Sequence, residues 1–109
     1  MIKVDIADDI TMFNKVFNTN IEEINTEQKQ KLEYIILGKA ENITYLVDQW
    51  WGAETQYQVW NDDYTQYRIR TYRGEGDSLE YALLALLISM KRILSDSTVK
   101  EIVEIVRGE

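Results

Sequence analysis

The chain has 109 residues and a formal net charge of −7, with no His, no Cys and no Pro. The missing His removes the side chain that titrates near neutral pH, and the missing Cys removes the strongest ordinary nucleophile and soft metal ligand. One core and one domain over residues 1–109 fit this length, no disulfide framework is available, and binding is favoured over catalysis.

In chain order, Ile2, Val4 and Ile6 alternate with Lys3 and Asp5, which predicts a short first strand. Asp8 or Asp9 then caps a helix to about Asn18, with Ile10, Phe13, Val16 and Phe17 on one face. Asn25 or Thr26 is the next N-cap, with Gln28 placed for a capping box. Apolar residues at Leu32, Ile35, Ile36, Ala40, Ile43, Leu46, Val47 and Trp50 keep helical phase across Gly38. This predicts one long helix over about residues 26–51, bent at Gly38; two helices meeting at Gly38 is the alternative, and Gly52 ends the segment in either case.

A hairpin follows. Residues 55–60 and 64–72 are rich in aromatic and β-branched side chains and are separated by Asn61-Asp62-Asp63. Alternation in the second strand puts Tyr67, Ile69 and Thr71 on the expected core face and Gln66, Arg68, Arg70 and Tyr72 on the other. Gly74-Glu75-Gly76 reads as a loop, with Asp77 as the next cap and Glu80 three residues on. Residues 81–88 are all apolar, which predicts a central helix over 81–94 covered on nearly every side. Residues 95–97 interrupt it. Val99, Ile102, Val103 and Val106 trace a stripe on a last short helix, suited to docking inside the chain or against a second copy in a homodimer. The predicted class is α+β: a small hairpin, extended by the N-terminal strand, packed against the apolar helix and the long one.

Residues 50–94 carry a resemblance to known families. The hairpin followed by Gly74-Glu75-Gly76-Asp77-Ser78-Leu79-Glu80-Tyr81-Ala82 resembles the strand-strand-helix core of small phage ABA-sandwich domains. The same stretch is similar to the Gly-Asp-Ser/Thr-Leu-Glu-x-Ala helix start of HicB-type antitoxins, without the proline-containing strand that precedes it there. The resemblance implies a phage or mobile-element origin and no particular activity.

The charge is unevenly placed. Residues 1–63 hold 12 acids against 5 bases, and residues 64–109 hold 7 of each. An acidic surface repels nucleic acid and attracts basic protein surfaces, so direct nucleic-acid binding is not expected. Seven aromatic residues fall within the 23 residues from Trp50 to Tyr72, and such rings anchor interfaces. The expected partner-binding set is Glu41, Asp48, Trp51, Glu54, Trp60, Asp62, Asp63 and Tyr64. Beside it stands the plain reading that the acids are a solvated face and that Trp50 and Tyr67 are core.

These features point to a small acidic inhibitor that blocks a basic surface on a nucleic-acid-handling host enzyme, of anti-CRISPR or other anti-defence type. An antitoxin or regulatory subunit neutralising a basic partner is the alternative. A nucleic-acid-binding module using Arg68, Arg70, Arg73 and Tyr72 is a further one. No EF-hand spacing or phosphate-cradling glycine motif occurs, so no metal, cofactor or catalytic residue is expected. No run of about 18 apolar residues occurs, and residues 1–10 hold three Asp and no apolar stretch, so the expected location is the cytoplasm.

Overall fold

Residues 8–38, 43–47 and 51–108 are described by the computed structural model. Helix α1 (Asp8–Phe17) buries Ile10, Phe13 and Phe17, and the two phenyl rings stack with centroids 4.5 Å apart. Asn18 closes α1 in the left-handed region at φ 56°, a conformation asparagine tolerates better than most residues. The Asn14 side chain fixes the loop that follows. Its Oδ1 accepts from the Ile21 N–H at 2.9 Å and the Thr19 hydroxyl at 2.8 Å, while its Nδ2 donates to the Ile21 carbonyl at 2.9 Å.

Helix α2 (Thr26–Leu37) starts at the expected capping box. The Asn25 side chain accepts from the Gln28 N–H, and the Gln28 side chain accepts from the Asn25 N–H, both at 2.8 Å. The Gln28 Nε2 also donates to the Ile105 and Val106 carbonyls, at 3.0 and 3.2 Å. It thereby ties the start of α2 to the C-terminal carbonyls of the last helix, of which Ile105 also accepts from the Gly108 N–H at 3.0 Å.

The continuous helix expected over residues 26–51 is not formed. Helix α2 stops at Leu37 with Gly38 as its C-cap, and strand β1 (Thr44–Val47) pairs antiparallel with the start of β2 (Trp51–Trp60). A short apolar run fits a helical stripe and a strand equally well by periodicity. Here pairing decides, with Thr44 opposite Glu54 and Val47 opposite Trp51. Gly52 does not end a segment; it is a buried residue inside β2. The N-terminal strand of residues 2–6, together with Trp50, lies outside the described residues.

The sheet has the order β1-β2-β3, all antiparallel, with β3 spanning Tyr67–Gly76. The ladder between β2 and β3 runs from Trp51 opposite Gly76 to Trp60 opposite Tyr67. Gly74 and Gly76, expected in a loop, are the last rungs of β3. A Cβ at Gly74 would run into the backbone of Ala85 and Leu86 and come within 2.7 Å of the Ala82 carbonyl oxygen; one at Gly76 would lie 2.7 Å from the Tyr81 Cβ. Glycine at these two positions lets helix α3 (Leu79–Met90) lie directly on the strand.

Ser78, not Asp77, caps α3, its side chain accepting from the Tyr81 N–H at 3.1 Å. Ala82, Leu83, Leu84, Leu86, Leu87 and Met90 are buried, so the helix is covered almost all round, by α1, α2 and the sheet. Each large side chain taken from water contributes about 1.5–3 kcal/mol before chain entropy is charged against it. The α-helix gives way to a 3-10 turn at Lys91–Ile93, short of the expected end at residue 94. Helix α4 (Asp96–Val106) begins at the Ser95 cap and buries Thr98, Ile102 and Val106.

Candidate functional site

Strand β3 shows where the core ends. Gly76, Gly74 and the partly buried Tyr72 alternate onto the face under α3. The same alternation carries Arg70 and Arg68 onto that face beyond the helix, and both are exposed. Tyr67 and Ile69, expected in the core, lie on the opposite face and are 50% and 57% exposed. The parity read from the sequence is therefore reversed. Glycines in phase with Tyr72 mark the face a helix approaches, and that signal was present in the chain.

Every residue from 61 to 71 is exposed. From Tyr72 to Tyr67 the strand takes five steps of about 3.3 Å, so β3 forms one side of an arm that runs about 16 Å past that strand's last partly buried side chain. Its tip is a dense local network. The Asn61 N–H donates to the Gln66 carbonyl at 3.0 Å, and the Tyr64 N–H donates to the Asn61 carbonyl at 3.1 Å. The Asn61 Oδ1 accepts from the Thr65 and Gln66 N–H groups, at 3.1 and 3.3 Å. The Asp63 carboxylate accepts from the Thr65 hydroxyl at 2.6 Å and its N–H at 3.1 Å. These bonds, the hydroxyl's first, favour the charged form and hold the Asp63 pKa below its ordinary 3.8.

At the apex sits Tyr64, with φ 56° and 76% of its surface exposed. The left-handed region costs a residue with a Cβ about 1–2 kcal/mol. Bulky residues are rare there, and such outliers gather at functional sites.

The expected partner-binding residues do not form one patch. Asp62, Asp63 and Tyr64 share the tip, and the backbone of Trp60 pairs with Tyr67 just below it. Trp51 and Glu54 belong to the other end of the hairpin. Trp51, 36% exposed, pairs with Gly76, and the partly buried Glu54 is opposite Arg73. Nine strand steps separate Trp51 from Trp60, roughly 30 Å. Glu41 and Asp48 lie outside the described residues.

Elsewhere, a cleft of about 580 Å³ lies between residues 18–23 and the end of α4, where Arg107 donates to the Asn18 carbonyl at 3.2 Å. Another of about 320 Å³ separates α2 from α4 beside Tyr34. Among the described residues no group of three or more acidic side chains is placed to hold a metal ion, and no helix is long and apolar enough to cross a membrane.

In comparisons with known proteins, no family model, no curated protein and no solved structure matches this chain.

Proposed function

We propose that this protein is an interaction module of the inhibitor type, which grips a partner protein with the tip of its hairpin. One observation carries the reading: Tyr64 is held in a strained backbone conformation at the apex, with 76% of its surface exposed. An aromatic ring with a polar end, fixed on a short turn, loses little side-chain entropy on contact and suits the centre of an interface. Asp62 and Asp63 precede it in the same turn, so the surface it fits is basic. The overall charge of −7 supports the same polarity of partner, and a basic face on a nucleic-acid-handling enzyme has the required chemistry.

The test is capture of a partner from a plausible host lysate by the parent protein, by Tyr64→Gly, and by Asp62→Asn with Asp63→Asn. The expected outcome is a partner with a basic contact face that is released as salt rises, because exposed pairs are screened over about 8–10 Å at physiological ionic strength. Both variants should bind it at least about tenfold more weakly, the size of effect expected for an anchor residue. Undiminished capture by Tyr64→Gly would refute the proposal.

A further inference from the structure

We infer that the free edge of β3, along the arm, accepts an added strand from a partner, an extended segment in which acidic residues alternate with apolar ones. The inference concerns the flank of the arm rather than its tip, and it stands whether or not the tip binds a basic surface.

The phase of the ladder shows which backbone groups the edge offers. The Asn61-to-Gln66 bond closes the turn, and opposed residues in an antiparallel pair alternate between exchanging both hydrogen bonds and exchanging neither. Counting along β3 from that rung, Arg68, Arg70 and Tyr72 turn their N–H and C=O groups to β2, while Ile69, Thr71 and Arg73 turn theirs outward. An independent contact agrees: the Arg73 carbonyl accepts the Ser89 hydroxyl at 2.9 Å from the outer side. Ser89 thus closes the edge where α3 covers it. Past that point, among the described residues, no strand lies outside β3 and nothing bonds the outward groups of Ile69 and Thr71.

Side chains decide what fits. A strand laid on this edge sets its alternate residues beside Arg68 and Arg70 on one face and beside Tyr67 and Ile69 on the other. Acids complement the first pair and apolar side chains the second. A second copy of the chain fits badly. A two-fold axis at Ile69, which keeps both strands on the open stretch, puts Arg68 opposite Arg70 of the other copy, and like charges directly opposed are destabilising. Moving the axis toward Arg73 drives the copy onto the end that Ser89 closes. The arginines therefore guard the edge against self-pairing while leaving it open to an acidic strand.

The test is residue-resolved hydrogen exchange on the full chain, with a seven-residue synthetic peptide alternating Glu and Val and a matched peptide alternating Lys and Val. Exchange at the Ile69 and Thr71 amides should slow at least about tenfold with the first peptide and not with the second. The amides of Arg68 and Arg70, already bonded to β2, should change less. Thr71→Pro removes one outward N–H without breaking the β2 ladder and should abolish the slowing at Ile69. Equal effects of the two peptides, or no slowing at Ile69 and Thr71, would overturn the inference. So would slowing that grows with protein concentration alone, which means a second copy, or tighter protection of the arm by a single-stranded oligonucleotide than by the peptide.

Discussion

The two ends of the hairpin share one ladder and little else. At the base, Ala53, Thr55, Gly74 and Gly76 are buried under α3, close enough that two positions of β3 admit no side chain. Toward the tip, the described residues of the same antiparallel pair are all exposed, with Tyr64, Tyr67 and Ile69 among them. Backbone pairing continues where the described side chains are no longer buried. A two-stranded ribbon is marginal in water by itself, so the base holds the arm and the arm adds little to the base. That division leaves the arm's side chains available for contact.

An arm that carried stability would erase the contrast between the two ends. Leu86→Ala, at a site with no exposed surface, should lower unfolding free energy by about 3 kcal/mol, whereas Ile69→Ser should change it by less than about 0.5 kcal/mol. Equal costs in urea unfolding would show that Ile69 belongs to the core. Gly74→Ala comes next. The helix backbone facing the new methyl cannot swing away as a side chain would, and a loss of about 2 kcal/mol is expected from the same measurement.

Smaller effects sharpen the picture at the tip. Tyr64→Gly relieves the left-handed backbone and should raise stability by up to about 1 kcal/mol while removing the proposed contact residue. A protein made more stable and less able to bind separates strain kept for contact from strain tolerated by accident. The smallest effect is that of pH. Because the Asp63 pKa is lowered in the folded turn, its contribution is present above the ordinary 3.8 and is lost as pH falls through the lowered value. The chemical shift of the Thr65 amide should therefore hold steady through neutral pH and move only below 3.8, in step with the Asp63 carboxyl.

Much of the fold was legible locally. The Asn25-Gln28 capping box, the stripe of Ile10, Phe13 and Phe17, and the all-apolar stretch that became α3 each depend on neighbours within one or two helical turns. Apart from the one-residue shift of the α3 cap from Asp77 to Ser78, the misreadings share one cause. Thr44–Val47 matches a helical stripe until Trp51, Gly52, Ala53 and Glu54 pair with it. Gly74-Glu75-Gly76 looks like a loop until α3 folds onto it. Of the residues expected to bind a partner, Asp62, Asp63 and Tyr64 do share one turn, a placement legible in the sequence because turn geometry is local. Grouping Trp51 and Glu54 with them was not supportable from spacing, since a strand carries nearby residues in sequence far apart in space.

Residue order alone sufficed for the Asn25-Gln28 capping box, the net negative charge and the existence of a hairpin with an acidic, aromatic turn. These follow from backbone hydrogen-bonding needs and side-chain periods that operate over a few residues. Long-range packing settled which face of β3 is covered and how far along that strand burial reaches. Alternation along a strand defines two faces without naming the inner one, and that choice was made when an apolar helix settled on two glycines.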